Sequence, residues 1–385
     1  MRILLIHTSY RLKGGEDAVF GLEQDLLRKN HIVNTLHFQN KNGFAGAIQF
    51  LISIWNVSSN SIIKKKIKSF SPDIIHLHNW HFAIGPLVIR GIHKLKIPLV
   101  LTLHNFRLIC PSGTLFHNNK LYLGSLTKNF AWNAVQDKVY RNSYFQTFWL
   151  AFVVWLHKKI GTWQMVDTYV CLSEFMVDFF CNSALNVNKT KFVIKPNFSK
   201  KPKELKKLKR GSHFLFIGRL VEEKGIRCLL NAFKNSNETI KIAGDGPLKS
   251  LVEKYSLEFN NINYIGFLPK QKLSEELQQA SALIFPSIWY EPFGLTITEA
   301  FSNRCAVIAS NIGAPKSTVK NDVNGLHFRY NETEDLEKAL KKWKSLSDVE
   351  KEIFRQNAFK TYQEQYSVKI QSDLIDSIYK NIIKE

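Results

Sequence analysis

Two glutamates lie in one stretch of unusual composition: Glu291 is in a predicted loop before Pro292, and Glu299 is in the helical pattern that follows Gly294. Carboxylates accept hydrogen bonds from hydroxyl groups. A carboxylate in a loop and a second one on the next helix can therefore hold two parts of one polyhydroxylated ligand. The pair favours a sugar or a ribose as the bound group.

Two cations follow the first predicted strand of the second half of the chain, between Gly218 and Gly225. Arg219 can bind phosphate oxygens with its guanidinium fork, and Lys224 can act as a point charge. A diphosphate needs neutralisation of this kind, above all as a leaving group. The alternative is that both are solvated cations of a basic protein.

Glycine-rich turns follow two further strands. Gly14 and Gly15 precede a predicted helix, where glycine lets the backbone approach a phosphate and the helix N-terminus offers unpaired N–H groups. The turn Gly244-Asp-Gly-Pro247 follows a strand of the second half. An ordinary tight turn explains the first of these at least as well, and the two interpretations of the second are balanced.

The elements that must position these residues are short apolar runs that alternate with helical patterns. Continuous apolar runs are typical of parallel strands covered on both faces, and their alternation with helices predicts a doubly wound α/β fold. Ligands bind such sheets beyond the carboxyl ends of the strands. The predicted strands are residues 3–6, 32–38, 74–78, 99–104, 169–172, 192–194, 214–217, 240–243, 262–265, 283–285 and 306–309.

The 385 residues suit two domains, and 53 Lys and Arg against 32 Asp and Glu give a net charge of +21, which attracts polyanions. The five cysteines are scattered, which favours reduced thiols in the cytoplasm over a disulfide framework or a zinc ribbon. The N-terminal apolar run is too short for a signal peptide. The longest apolar stretch, residues 144–156, is too short to span a bilayer.

A basic run at residues 199–211 interrupts the alternation and lacks a core face. It contains Pro202, and we interpret it as an interdomain linker. A solvated helix face is a compatible alternative. The predicted domains are accordingly residues 1–198 and 212–364.

These pieces occur in the order of the family 4 glycosyltransferases, which the chain resembles over nearly its whole length. The stretch from residue 285 to residue 300 is similar to the family signature. The resemblance implies the GT-B fold, which has two Rossmann-like domains that face a central cleft. The first domain is on the acceptor side, and the second binds the nucleotide sugar. The two domains would close over the donor, and a C-terminal helix, here about residues 365–385, would pack back on the first domain. The other matching pieces are Gly14-Gly15, Thr102-Leu-His104, Gly218-Arg219, Lys224-Gly225, Gly244-Asp-Gly-Pro247 and Asn324-Gly-Leu-His-Phe328.

The resemblance also implies roles for individual residues. Arg219 and Lys224 would hold the donor diphosphate, Glu299 the nucleotide ribose and Glu291 the donor sugar, while His104 would touch that sugar near its anomeric centre. The backbone amides expected to complete the donor site are those of Gly15, Phe293, Gly294 and Leu295, with Gly14 beside them. The predicted catalytic set is His104, Glu291, Arg219 and Lys224.

The family retains the anomeric configuration. It favours a front-face mechanism in which the leaving phosphate takes the acceptor proton, so Glu291 is not assigned as a nucleophile, and the paired-carboxylate scheme of glycoside hydrolases is not transferred. No metal and no cofactor are expected. The sequence does not specify the base or the sugar of the donor.

Two positions depart from the family pattern. Asn105 stands where many relatives have aspartate, and Lys316 stands where many have a glutamate of the donor site. The second departure puts one donor contact in doubt. Residues 104–113 resemble a bacterial subgroup linked to surface polysaccharide assembly.

Three histidines, His76, His78 and His81, raise the question of a metal. Residues two apart on a strand share a face, but the sequence offers no carboxylate or cysteine to complete the set. We interpret these histidines as lining the acceptor side.

A largely aromatic stripe at helical spacing is flanked by cations. The stripe is Phe145, Trp149, Phe152, Trp155 and Leu156, and the cations are Arg141, Lys158 and Lys159. It is either core or an interfacial helix on anionic lipid, to which the lysines at 64–66 and 68 could add.

The sequence therefore predicts a cytoplasmic, retaining hexosyltransferase of polysaccharide biosynthesis, peripheral on the inner membrane face. Its partners would be a nucleotide-sugar donor, a saccharide or lipid-linked acceptor and an anionic membrane surface, with no specific nucleic acid. The alternatives are a noncatalytic GT-B partner subunit, a basic nucleic-acid-binding protein, and a GT-B epimerase or phosphorylase.

Overall fold

The structure is a computed structural model that describes residues 1–9, 14–202 and 210–384. It divides into two compact units, a first of Met1–Leu115, Tyr122–Pro196 and Gln371–Glu385, and a second of Phe116–Leu121 and Asn197–Ile370. Of the predicted linker, residues 203–209 lie outside the described ranges. Arg210 follows them and donates from its guanidinium to the Leu277 carbonyl at 2.8 Å.

The first unit is built on a six-stranded sheet with the order β2-β1-β3-β4-β7-β8, in which all neighbours pair in parallel. Its central strands consist of apolar residues, and Ile3, Leu4, Leu5 and Ile6 are fully buried. The strands are β1 Arg2–Ser9, β2 Ile32–Gln39, β3 Ile74–Leu77, β4 Leu99–Leu103, β7 Thr168–Cys171 and β8 Phe192–Ile194, and a separate antiparallel hairpin has β5 Phe116–His117 and β6 Lys120–Leu121.

Helices connect these strands. Ser143 caps helix α6 by accepting a hydrogen bond from the Gln146 N–H, and Asn56 caps α3 in the same way through the Ser59 N–H. The helices of this part of the chain are α1 Gly15–Leu27, α2 Gly43–Ile52, α3 Val57–Phe70, α4 Leu87–His93, α5 Trp132–Gln136, α6 Tyr144–Lys159 and α7 Glu174–Cys181.

The second unit has its own six-stranded parallel sheet, with the order β11-β10-β9-β12-β13-β14. Buried Phe214, Ile242 and Ile308 belong to its core, and the amphipathic helices α8 and α13 pack on it through Leu229, Phe233, Leu336 and Leu340. The strands are β9 Phe214–Ile217, β10 Ile240–Ala243, β11 Ile262–Gly266, β12 Leu283–Phe285, β13 Val307–Ser310 and β14 Gly325–Phe328. The helices are α8 Ile226–Lys234, α9 Lys249–Glu258, α10 Lys270–Gln279, α11 Leu295–Ser302, α12 Pro315–Thr318, α13 Thr333–Ser345, α14 Asp348–Thr361 and α15 Val368–Lys384.

The two sheets confirm the predicted fold class of two doubly wound α/β domains. Their strand orders place a topological switch point between β1 and β3 in the first unit and between β9 and β12 in the second, where the chain leaves adjacent strands in opposite directions. The loops after these four strands contain most of the residues singled out from the sequence.

Helix α6 is neither wholly core nor wholly exposed. Its buried face consists of Thr147, Leu150, Ala151, Val153 and His157, whereas the predicted aromatic stripe lies on the other sides of the helix. Phe145 is 59% exposed, and Trp149, Phe152 and Trp155 are half-buried. Phe145 is therefore a surface residue, whereas the other three aromatic side chains lie at the margin of the core.

Helix α15 begins at Val368, and its residues from Gln371 onward belong to the first unit. The Asp376 carboxylate lies 2.7 Å from His31 Nε2, and the Tyr379 hydroxyl lies 2.7 Å from His76 Nδ1. A π-helical turn, Tyr362–Tyr366, separates α15 from α14. Within the described ranges, no helix combines the length and apolarity needed to cross a membrane.

Candidate functional site

The switch point of the second unit holds a close ion pair. Lys224, in the loop after β9, has its Nζ 2.6 Å from the Glu291 Oε2 in the loop after β12. The same carboxylate oxygen accepts hydrogen bonds from the Trp289 indole at 2.9 Å and the Ser287 hydroxyl at 3.2 Å. Both partners of the pair remain partly accessible, at 16% and 11% of their side-chain surface.

Backbone packing fixes the two loops against each other. Gly225 has a left-handed φ of 70°, and a Cβ at this position would lie 1.9 Å from the Pro286 carbonyl oxygen. Only glycine allows the chain after Lys224 to approach the chain before Glu291 so closely. The Ile288 N–H then donates to the Glu223 carbonyl at 3.0 Å.

Arg219, the other predicted phosphate ligand, follows the same strand but points into solvent. Its side chain is 64% exposed and has a loose contact of 3.4 Å to Glu223. The loop that contains it packs on the Gly244–Pro247 turn, where the Leu220 N–H donates to the Asp245 carbonyl at 2.8 Å. A Cβ on Gly244 would lie 1.9 Å from the Gly218 carbonyl oxygen, so this glycine gives the turn a structural role.

The segment after Glu291 leads into helix α11. Phe293 is buried and its ring meets Tyr366 edge-on, at 5.8 Å between centroids. Gly294 has a φ of 92° and is the N-cap, so the amides of Leu295 and the next residues form the open first turn of α11. Glu299 lies one turn further on, and burial raises the pKa of its carboxyl.

Lys316, the departure from the family pattern, lies on α12 beside this segment. Its side chain is exposed. The Ala314 N–H, just before the helix, donates to the Glu291 carbonyl at 3.0 Å. The substitution thus adds a cation next to the loop of Glu291.

In the first unit, helix α1 starts at the switch point, directly after Gly14. The Gly14 N–H donates to the Asp17 carboxylate at 2.9 Å, and the other oxygen of that carboxylate lies 3.1 Å from His7 Nε2. The amide of Gly15 belongs to the open first turn of α1. The predicted phosphate-facing loop is therefore also organised by a side chain that the sequence argument did not use.

Glu16 is a second such side chain. It accepts a hydrogen bond from the Asn105 amide at 3.1 Å. Burial raises the pKa of Glu16 to about 7, although the Asn105 bond and Arg107 act in the opposite direction. A carboxyl group is therefore present beside Asn105, the position where many relatives have aspartate.

His104 follows β4 and belongs to a buried chain of imidazoles. Its Nε2 lies 3.2 Å from His78 Nδ1, and the His78 ring packs against the ring of His76 at 4.2 Å between centroids. Burial lowers the pKa of His104 to about 3 and lowers the pKa of both other rings well below the ordinary value. All three imidazoles are therefore neutral at neutral pH.

The expectation that no carboxylate accompanies these histidines is wrong. Glu23 of helix α1 is buried beside His76 and His78, with ligand-type atoms of all three within 4.8 Å of one another. Burial alone would raise the pKa of the Glu23 carboxyl. The Lys195 ammonium, 3.0 Å away, together with His78 and His104, holds this pKa below its ordinary value.

The side chains of Glu23, His76 and His78 are arranged as a hydrogen-bond network and not as a metal site. Both ring nitrogens of His76 already have partners, the Tyr379 hydroxyl and the Thr102 hydroxyl, each at 2.7 Å. A cation would compete with Lys195 for Glu23. His76 is thus a core residue and does not line an open surface, and His78 and His81 are buried as well.

The structure assembles the predicted site residues in two groups. Arg219, Lys224, Glu291, Phe293, Gly294, Leu295 and Glu299 lie in the second unit, and Gly14, Gly15 and His104 lie in the first. The sequence assigned no role to Trp289 and Ser287, although both lie in the signature stretch of residues 285–300. Glu23 and Lys195 had no detectable signal because 171 residues separate them in the chain.

Comparison with known families gives two adjacent matches. The family model described as Glycosyltransferase Family 4 matches residues 36–198, and the model described as Glycosyl transferases group 1 matches residues 197–361. Their boundary falls within two residues of the division between the two units, at Asn197.

Individual relatives agree with these matches. An uncharacterized glycosyltransferase of Methanocaldococcus jannaschii is 26% identical over 81% of this chain and 74% of its own length. An uncharacterized 42.6 kDa protein of the Klebsiella pneumoniae cps region is 24% identical over 81% of this chain and 86% of its own. Among solved structures, Anabaena HepE in complex with UDP superposes with a TM-score of 0.69, at 15% identity, over 99% of this chain and 100% of its own.

The two family matches cover both units in their expected order, and the fold is shared with the solved structure of Anabaena HepE. These findings confirm the resemblance seen in the signature around Glu291. The chain belongs to the family 4 glycosyltransferases and has their GT-B fold.

Proposed function

We propose that this glycosyltransferase is a retaining hexosyltransferase that moves a sugar from a nucleoside diphosphate donor to a saccharide or lipid-linked saccharide. The observation that carries the proposal is the partly accessible Lys224–Glu291 pair at the switch point of the second unit, with Glu299 on the next helix. A lysine that can exchange a carboxylate for phosphate oxygens suits a diphosphate, and two carboxylates suit sugar and ribose hydroxyls.

Two relatives support the substrate class. Anabaena HepE has been crystallised with UDP, and the Klebsiella relative is encoded in a cps region. We infer that this chain also uses a nucleotide sugar and takes part in bacterial-type polysaccharide biosynthesis.

In the proposed reaction, the bond between the anomeric carbon and the diphosphate oxygen breaks, while the acceptor oxygen bonds to the same face of that carbon. The proton of the acceptor hydroxyl passes to an oxygen of the leaving diphosphate, so no enzymic nucleophile is needed. Lys224 and Arg219 neutralise the charge that develops on the diphosphate. Glu291 orients the donor sugar, and the neutral imidazole of His104 contacts that sugar near the anomeric carbon. The protein itself contributes the binding groups, and the mechanism needs no metal.

The reaction would take place in the cytoplasm, with the enzyme peripheral on the inner face of the membrane. All five cysteines are free, which fits a reducing compartment. The net charge of +21 favours an anionic surface.

A thermal-shift panel tests the donor class. UDP, GDP, ADP, CMP and dTDP, each alone and with its common sugars, would be added to the wild type, Arg219→Ala, and the control Lys254→Ala, which removes a cation of the same unit outside the site. A ligand at about 100 times its Kd stabilises by about 2.7 kcal/mol, a rise of several degrees. We expect a rise with one diphosphate in the wild type and control and a much smaller rise in Arg219→Ala.

No shift with any nucleotide at millimolar concentration would contradict the proposal and favour the noncatalytic partner subunit. Tight binding of nucleic acid that persists at high salt would favour the nucleic-acid-binding alternative, because nonspecific binding to a basic protein disappears as salt is raised.

A further inference from the structure

Helix α2 is an apolar helix without a buried face. Its sequence is GFAGAIQFLI, and none of its residues is buried. Phe44 is 83% exposed, and Ile48, Leu51 and Ile52 are each more than 40% exposed. Soluble proteins rarely leave contiguous apolar patches of this kind to water unless something binds there.

The exposed surface continues onto two neighbouring elements. The Trp149 indole of α6 donates to the Phe50 carbonyl of α2 at 3.0 Å, so the two helices are in contact at this point. Trp55, just after α2, is 47% exposed and stacks on His157 of α6 at 5.7 Å between ring centroids. We define the apolar face as Phe44, Ile48, Leu51, Ile52, Trp55 and Phe145.

The part of the chain that contains the apolar face is strongly basic. Residues 26–166 contain 17 Lys and Arg but only two acidic residues, Asp73 and Asp137. Exposed cations occur on α3 and α6 and just before α2 and α6. These cations are Lys41 before α2, Lys65 and Lys68 on α3, Arg141 before α6 and Lys159 at its end.

We propose that the apolar face, together with the cations of the same part of the chain, docks on the surface of an anionic lipid bilayer. An apolar centre enters the acyl boundary while lysine and arginine bind the headgroup phosphates, which is the arrangement of interfacial amphipathic helices. Helix α2 has 10 residues and is about 15 Å long, so it lies in the interface and does not cross it.

A second copy of the chain is a poor alternative occupant. Two copies would bring together two cation-rich regions, in a protein with a net charge of +21. Like charges oppose association, whereas an anionic bilayer complements both the apolar face and the cations of this part of the chain. This docking is a property of the surface alone and does not depend on the transferase proposal.

Vesicle flotation with the purified full-length protein tests the docking. The vesicles would be phosphatidylcholine alone and phosphatidylcholine with about one third phosphatidylglycerol, without donor or acceptor, so the outcome is independent of activity. The variants are Phe44→Glu with Phe145→Glu, and the control Leu257→Glu with Phe267→Glu. Both control residues are at least 79% exposed apolar side chains of the second unit, so neither pair creates a cavity.

We expect the wild type and the control to float with anionic vesicles and to blue-shift their tryptophan emission as Trp55 enters the interface. The Phe44/Phe145 variant should bind at least about tenfold more weakly, because two apolar anchors are lost. Equal binding of all three proteins would overturn the proposal, because the net charge alone would then explain the binding. Concentration-dependent dimers that the Phe44/Phe145 variant abolishes would also overturn it, in favour of a second copy.

Discussion

Two lysine–glutamate pairs, one from each unit of the protein, differ in their access to solvent. Lys224 and Glu291 in the second unit are 2.6 Å apart and partly accessible. Lys195 and Glu23 in the first unit are 3.0 Å apart and each only 2% exposed. The two ion pairs therefore have different roles. The pair of the second unit can exchange a partner for a ligand, whereas the pair of the first unit is fixed inside the protein.

The neighbours of the two pairs support this difference. Glu291 keeps hydrogen bonds from Trp289 and Ser287 if its lysine turns to a phosphate. Glu23 has no such reserve, since its Oε1 lacks a hydrogen-bond partner among the described residues. Loss of the lysine should thus affect activity in one unit and stability in the other.

The largest expected effect is on stability. Lys195→Ala leaves the Glu23 charge buried without its partner, which costs about 3–5 kcal/mol and lowers the melting temperature by about 10 °C. Thermal unfolding followed by circular dichroism measures this. The double variant Glu23→Gln with Lys195→Met should be more stable than Lys195→Ala, because it removes both charges. If Lys195→Ala has the melting temperature of the wild type, the buried pair does not contribute to the stability of the folded protein.

The accessible pair should show the opposite pattern. Lys224→Ala removes the cation expected on the leaving diphosphate and should lower kcat/KM about 10²–10³-fold, with a smaller loss of melting temperature than Lys195→Ala. Steady-state kinetics with the donor found in the thermal-shift panel measures this, with Lys254→Ala as the matched control. A Lys224→Ala enzyme of normal rate would remove the predicted role of this lysine.

Acid should destabilise the first unit. Burial lowers the pKa of His76, His78 and His104 below the value of about 6.5 expected in the unfolded chain. The unfolded state therefore binds more protons as the pH falls below that value, and stability is lost in the same direction. The three rings together should cost about 2 kcal/mol between pH 7 and pH 6.

Chemical denaturation at several pH values measures this dependence. Glu16, whose pKa is raised to about 7, acts in the opposite direction, so the test compares variants. His78→Gln should reduce the loss between pH 7 and pH 6 by about 0.7 kcal/mol, because one titrating ring is absent. A variant with the same loss as the wild type would show that His78 is protonated in the folded protein or already neutral in the unfolded chain.

The smallest expected effect concerns Glu299. Glu299→Gln keeps the size of the side chain but weakens a hydrogen bond to a ribose hydroxyl, so we expect the donor KM to rise about tenfold with little change in kcat. The Glu275→Gln variant of helix α10 is the control. A fall in kcat with an unchanged KM would place Glu299 at the reacting centre and not at the ribose.

The same contrast explains how much the sequence could reveal. Eleven of the twelve strands of the two sheets, the fold class and the Glu291 signature were predictable, because continuous apolar runs and local spacing are properties of neighbouring residues. The strand β14, Gly325–Phe328, was not predicted. The Glu23–Lys195 pair was not, since the partners meet only when helix α1 and the segment after β8 pack together. Helix α6 is apolar on nearly every side, so its periodicity could not tell the face of Leu150 and Ala151 from that of Phe145. Helix α2 passed unnoticed because its short apolar run resembles a core segment.

Helix α15 affects the order in which the protein can be made. The first unit is discontinuous in sequence, since its core includes Tyr379, the partner of His76, and its surface includes Asp376, the partner of His31. Domains fold as the ribosome delivers them, so the nascent first unit must wait without its last helix while the whole second unit emerges and folds. A chain stopped at residue 370 would be released with a complete second unit and an unfinished first one, an intermediate that chaperones and proteases would recognise.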